Sequence, residues 1–566
     1  MAQPPNIKVL ADALRRKGSW LVAGWLAVML GLCFPYFEST RNANERPRLL
    51  QAMALVEDGS WAIDGPAARS LDPGPDVSRS KVDRRLYPNK PPGTTLVAAA
   101  GYRVAKATAD ESGLTLRRFT FWARVFGGLL PTVLLCGLLL RRYAAMFGPM
   151  AAAGAVTLYA LGTPAASYAH LLYGHQLAAA LLAGGIALMV DGSAEQSRGR
   201  SAGGAAVVGG MLAGAAVGVE YGAVFAALPI AGLLLARVLR PGGARALLLS
   251  LAGALVPIIA LALYHSRVYG SALSTGYHHV TNADFAAKHG QGFLGLGLPS
   301  WEGFHTHFLS ADGGLLWWAP TVVLALYGLV QLAVSREEPA TEARVHLGLV
   351  VLYGIIVSSL SFDGGWRVGP RYLVVVLPSL CMGWAHMLSQ IRTSIIGMGL
   401  LMAVGTYAVI VNGLAANLWP HFDLTNVHQP VAEVLLPLWD HDREPHGVLR
   451  ALIGRSGLRM AVIGSVVGTW VVLARLGDGG IRMAGSMAVG GVLGLLLVKS
   501  TQLVEPHPRG ERNLAYIERI WEPTVDGSGH SVVLTQEGSG ASEAGESTRV
   551  QGSPTRASRR KTTRRE

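Results

Sequence analysis

The chain has 566 residues, of which 51% are hydrophobic and only 15% charged, with a mean hydropathy of +0.35. A soluble domain carries nearer about 25% charge, so this composition excludes an ordinary soluble protein and describes a polytopic membrane protein. The formal charge of +13 comes from Lys and Arg in loops and tails between apolar stretches. That is the distribution of orientation charges and lipid head-group contacts, not of a nucleic-acid surface.

Lys8, Arg15, Arg16 and Lys17 precede a first span, Trp20–Phe37. The positive-inside rule then starts the chain in the cytoplasm and places the next loop, Glu38–Arg118, outside. No small-residue cleavage site follows the span, so it reads as a retained helix and not as a signal peptide. Loops beyond roughly 12–15 residues are usually functional or disordered. This one carries apolar periodicity, which predicts a folded catalytic loop on the membrane surface. Span two is Phe119–Leu140, ending in Arg141-Arg142 on the inner side. Spans three and four, Met150–Ser167 and Leu171–Val190, flank an outer loop with Tyr168, His170, Tyr173 and His175. Spans five and six, Gly203–Val219 and Gly222–Leu239, meet at Glu220-Tyr221.

Span seven runs to Tyr264 and opens a second long outer loop, Ser266–Gly313. Span eight is Gly314–Leu332 and span nine ends at Ser361. An outer turn, Asp363–Arg371, leads into span ten. Ile395–Leu414 is span eleven, followed by an outer segment, Asn417–Arg450, and two last spans, Leu458–Ala474 and Met483–Val498. The fold class expected is therefore an all-α polytopic membrane protein with about 11–13 transmembrane helices, its long loops gathered on one side. The expected divisions are 1–18 as a cytoplasmic segment, 19–416 as the membrane catalytic domain, 417–503 as an outer segment with the final helices, and 504–566 as a disordered basic tail. An odd span count puts that tail outside, against the charge preference. Cys33, Cys136 and Cys381 each fall in an apolar stretch, which points away from disulfides and thiolate metal sites.

Within the first loop, Glu45 precedes a run in which Leu49, Met53 and Val56 recur at helical spacing. This predicts an amphipathic interfacial helix with Glu45 at its start. A carboxylate near the membrane boundary suits a general base; a helix N-terminal glutamate favoured by the dipole is the plain alternative. Lys90 stands between Tyr87 and the Pro91-Pro92-Gly93 turn, where the prolines aim its ammonium at a lipid phosphate, unless it only snorkels. Glu220 is an ionisable group at the membrane, which by default marks a functional site or an ion pair. Trp366, Arg367 and Arg371 form a basic turn suited to phosphate, with a salt bridge to Asp363 or Asp312 as the alternative. His305 and His307 are a close pair, but no Cys or carboxylate cluster completes a metal site. There is no Walker motif, dinucleotide fingerprint or nucleophile elbow.

In order, these features resemble membrane glycosyltransferases of the GT-C class, in the branch of the lipid A aminoarabinose transferases and protein O-mannosyltransferases. The residues carrying the resemblance are Asn44-Glu45 ahead of Gly59-Ser60-Trp61, and Lys90-Pro91-Pro92. Tyr173-Gly174-His175, Glu220-Tyr221 and Gly364-Gly365-Trp366 through Gly369-Pro370-Arg371-Tyr372 resemble uncharacterised bacterial membrane proteins classed beside that branch. The resemblance spans Trp20 to Leu388. It departs at Asn44, where the family has aspartate.

The resemblance implies transfer of a sugar, with inversion, from a polyprenyl-phosphate donor to an envelope acceptor on the outer face of a bacterial inner membrane. It implies Glu45 as base and Lys90 as catalytic cation. Asn44, Arg48, Tyr87, His175, Glu220, Tyr221, Trp366, Arg367 and Arg371 are then the substrate-binding set. No cofactor beyond the lipid-linked donor is expected, and the partners are membrane lipids and lipid-linked sugar, not nucleic acid. A transporter or flippase of a lipid-linked anion and a non-catalytic envelope scaffold are the competing readings. The absence of an internal repeat counts against the transporter.

Overall fold

A computed structural model describes residues 7–32, 35–36, 42–68, 71–109, 113–197, 203–238, 242–289, 295–336, 339–360, 364–418, 426–443, 446–454 and 457–520. Cys33, Asp363 and the tail from residue 521 lie outside them. Among the described residues the chain is almost wholly helical. The only sheets there are two short antiparallel pairs, Pro35–Tyr36 with His446–Gly447 and Val77–Arg79 with Leu86–Pro88. Among the described residues, seven helices are long and apolar enough to cross a membrane, and six shorter ones are apolar along their length. The protein is a multi-pass, all-α membrane protein.

The small strands fix the sidedness. Pairing of Pro35–Tyr36 with His446–Gly447 ties the end of the first helix, Ile7–Leu32, to the segment that follows the helix Ile395–Leu418. In the first loop, Ser78 bridges to Val280 of the second loop. All three long loops thus meet on one face. On the opposite face, Arg142 bonds Glu342 at 2.8 and 2.7 Å and Asp191 at 2.6 Å. There too the amide of Asp478 donates to the carbonyl of Arg392 at 2.9 Å.

Several spans pack backbone to backbone, as small residues permit in lipid. The helices Gly203–Val219 and Gly243–Tyr269 are one such case. A methyl on Gly210 would lie 1.9 Å from the Ser250 carbonyl oxygen, and one on Gly253 2.0 Å from that of Val207. This contact brings the Glu220 junction, at the end of the first helix, against the second, which carries Tyr264 and His265.

Two sequence expectations change. The helix Arg46–Glu57 does not lie open at an interface: Pro47 through Ala54 are all buried. The expected unstructured tail from 504 instead begins with a helix, Gly510–Ile520. Its Leu514 and buried Ile517, three residues apart on one helical face, pack against the cluster holding Val431 and Leu435. Glu433 fastens the junction, accepting from the amides of His428 and Gln429 at 2.7 Å and of His507 at 2.9 Å. The helix Gly510–Ile520 therefore stands on the face of the loops.

Single cysteines in a cysteine-free background test this sidedness. Positions 82 and 503, occupied by exposed Val82 and Leu503, will label from one side of a sealed vesicle. Positions 393 and 478 will label from the other. Labelling of 503 together with 478 would contradict the fold.

Candidate active site

At the face of the loops the chain between two apolar helices, Pro149–Leu161 and His175–Ser197, is irregular around Leu171–Gly174. Irregular backbone at membrane depth needs partners for its amides and carbonyls. The first loop supplies them. Glu45 accepts from the Leu172 amide at 2.7 Å. Arg48, one turn further along the same helix, donates to the carbonyls of Leu172 at 3.0 Å and Tyr173 at 2.6 Å. Asn44 accepts from Arg48, and Asn42 from the Asn44 amide.

Each of these charges has an ionic partner on a membrane helix. The Arg124 guanidinium meets Glu45 through two bonds, Nε to Oε1 at 3.0 Å and Nη2 to Oε2 at 2.8 Å. Arg48 Nη2 lies 3.4 Å from Glu220 Oε1. Glu45 and Arg48 are fully buried. The helix that bears them is held from below by Gln51, which accepts from Thr95 at 2.8 Å and donates to the Trp61 carbonyl at 2.7 Å.

Beside Glu220 opens a cavity of about 600 Å³. Its apolar walls include Val217, Phe225, Ile258, Leu261, Ile356 and Val357. Its polar lining includes His175, Glu220, Tyr221, His265, Tyr277, His278, Tyr353 and Tyr372. The polar groups are mutual neighbours. His175 Nδ1 is 3.5 Å from Glu220 Oε1, and the imidazole meets the Tyr372 ring edge-on at 5.6 Å. The rings of Tyr221 and Tyr277 lie 5.5 Å apart. Tyr221 contacts His265 Nε2 at 2.8 Å, while His265 Nδ1 faces the Ala272 carbonyl at 3.2 Å. With Nδ1 protonated toward that carbonyl, Nε2 accepts and Tyr221 donates.

The turn Tyr173-Gly174-His175 is held against Glu220 by its glycine. Gly174 has φ +92°, and a Cβ there would come within 2.9 Å of both Glu220 Oε1 and Thr94 Oγ1.

Cations gather behind the polar wall. Lys90 Nζ is 3.2 Å from the Tyr277 hydroxyl and 4.7 Å from its ring centroid. This contact is local in origin. Lys90 follows the strand Leu86–Pro88, whose hairpin partner Ser78 pairs with Val280, bringing the turn Gly276–His279 alongside. Arg371 donates to the Tyr372 hydroxyl at 3.0 Å and stacks over its ring at 4.9 Å. Burial raises the proton affinity of the Glu220 carboxyl, while Arg48, Lys90 and Arg371 pull it back.

The structure thus gathers His175, Glu220 and Tyr221 at one cavity, with Arg48, Lys90 and Arg371 behind its lining. It does not bring the rest to it. Tyr87 donates to Asp83 at 2.6 Å and packs edge-on with Tyr269. Half-buried Trp366 contributes its carbonyl to the Tyr173 hydroxyl at 3.4 Å. Arg367 is buried against Gly313. Glu45 is absent from the cavity lining, with both oxygens engaged by Arg124 and Leu172. Sequence reasoning missed Arg124 and Tyr277. An arginine inside an apolar span is costly enough to demand a partner, so Arg124 carried a signal that it is paired, though not with which residue. Tyr277 carried none.

No protein-family model matches the chain, and no curated protein does. Among solved structures the chain is similar to ArnT from Cupriavidus metallidurans. With its apo form the identity is 16% over 88% of this chain and 78% of that one, at a TM-score of 0.46. With the form bound to undecaprenyl phosphate it is 17% over 87% and 77%, at 0.44.

Glu45 faces a buried guanidinium, so Glu45→Gln leaves a charge without its full counterpart. Losing one partner of a buried pair costs about 3–5 kcal/mol. The variant will therefore unfold at markedly lower temperature in detergent, and Glu45→Gln with Arg124→Met will recover part of the loss. An unchanged melting temperature for the single variant would contradict the pairing.

Proposed function

We propose that this protein transfers a sugar from a polyprenyl-phosphate donor to a hydroxyl acceptor, on the extracytoplasmic face of a bacterial inner membrane. The observation that carries this reading is the cavity: apolar walls of a size for lipid chain, ending in tyrosines, histidines and the Glu220 carboxylate, with the charges of Arg48, Lys90 and Arg371 acting from behind that lining. An amphiphile with an anionic head matches both halves. Hydrocarbon gains from the apolar wall, and phosphate gains charge-assisted bonds from the cations.

The charge balance supports transfer as well as binding. Arg48, Lys90 and Arg371 against Glu220 and Asp76 leave an excess of positive charge around the polar end. A sugar phosphodiester carries a single negative charge, and its leaving group, a phosphate monoester, gains a second. Fixed positive charge in a low-dielectric site therefore favours the state in which the sugar–phosphate bond has broken. Tyr277, held by Lys90, presents its hydroxyl to that phosphate. Direct displacement by the acceptor inverts the anomeric centre. Glu45 acts at a distance in this reading, by fixing the Leu172–Tyr173 backbone that carries His175.

Binding of undecaprenyl phosphate to the purified protein in nanodiscs tests this, by calorimetry or native mass spectrometry. The wild type will bind. Lys90→Ala removes a bond to a charged group, worth about 1.5–3 kcal/mol, and will weaken binding by roughly 10- to 100-fold. Absence of wild-type binding would overturn the reading.

A further inference from the structure

We propose that Glu220 is the proton acceptor of the transfer. The inference rests on the reading above and deepens it by assigning the base. Among the described residues that line the cavity, Glu220 is the one carboxylate. Its side chain retains 11% exposure there, while Glu45 retains 1%. Its Oε1 is fixed by Arg48 at 3.4 Å and His175 Nδ1 at 3.5 Å, which orients the carboxylate without enclosing it. At Gly174 a side chain would press on that same oxygen.

The step balances simply. The acceptor oxygen bonds to the anomeric carbon as the carbon–oxygen bond to phosphate breaks. The electron pair of that bond leaves on polyprenyl phosphate as its second negative charge. The hydroxyl proton passes to Glu220, which becomes neutral beside the new dianion. That removes a like charge from the phosphate when its charge grows.

The charged and titratable groups facing Glu220 are Arg48 from the helix Arg46–Glu57, Lys90 from the first-loop turn and His175 at the start of its helix. Tyr277 from the second loop, Tyr353 from the helix Ala340–Ser358 and Arg371 complete the set. Burial lifts the carboxyl's proton affinity above the ordinary carboxylate range, which suits a base. The same elevation has a pH consequence. Activity fails as pH falls through the titration of Glu220, because the base is then already protonated.

The product itself reports the proton. At pH 8 undecaprenyl phosphate is a dianion, its second pKa being near about 6, so proton uptake on binding comes from the protein. Calorimetry in buffers of differing ionisation enthalpy will show net uptake by the wild type and none by E220Q. E220Q will also bind about tenfold more tightly at this pH, having lost the like charge. Should E220Q fail to accumulate, E220D keeps the charge opposite Arg48 and will take up the proton at lower pH. In turnover of undecaprenyl-phosphoryl glucose or mannose, E220Q will be slower by roughly 10²–10⁴-fold. Where neither sugar is turned over, the proton balance decides. Wild-type binding without proton uptake, uptake retained in E220Q, or E220Q turnover within about threefold of wild type would each overturn the assignment while the lipid-phosphate reading stands. Failure of the wild type to bind undecaprenyl phosphate would remove both.

Discussion

The arrangement depends on two buried ion pairs that flank a stretch of irregular backbone. At Leu172 and Tyr173 the chain leaves helical geometry within an apolar bundle, where an unpaired amide or carbonyl is expensive. Glu45 and Arg48, one helical turn apart, bond that backbone from the same helix. Their charges then require counterions, and Arg124 and Glu220 supply them from the membrane helices. The first loop is thereby locked to the spans beneath it, and the cavity wall inherits its geometry from that lock.

The two pairs differ in what they leave available. Arg124 grips both oxygens of Glu45, so that carboxylate serves position. Arg48 reaches Glu220 at one oxygen only and at longer range, and the second carboxylate borders open space. The reach of their arginines thus leaves one carboxylate sealed and the other beside the cavity. Environment rather than residue type sets such roles.

The loops show the same division of labour. Lys90 stands behind the cavity wall only because the Val77–Arg79 and Leu86–Pro88 hairpin pairs onward to Val280 and brings Tyr277, which lines the cavity, against it. The dense set of tyrosines and histidines between the first loop and the helix Gly243–Tyr269 stiffens this corner. Tyr269, for instance, bonds Ser78 and stacks on His279 at 5.0 Å. A side chain carried on paired backbone holds its place better than one on a free loop.

Much of this was legible from residues alone. Apolar stretches of spanning length settle an all-α membrane protein, since only helices satisfy every backbone group within one such segment. Lys90 beside its prolines and Glu220 between two spans stood out because charge at a membrane needs a reason. The structured end at Gly510–Ile520 was hidden by the polar composition around it, though Leu514 and Ile517 fall on one face. What sequence could not assign was the partner of each charge. Glu45 lies 79 residues from Arg124, and Arg48 lies 172 from Glu220. Composition and periodicity report local geometry and burial, whereas the pairing of charges across such separations exists only once the helices pack. Tertiary structure alone thus determined which carboxylate is sealed and which one faces the cavity.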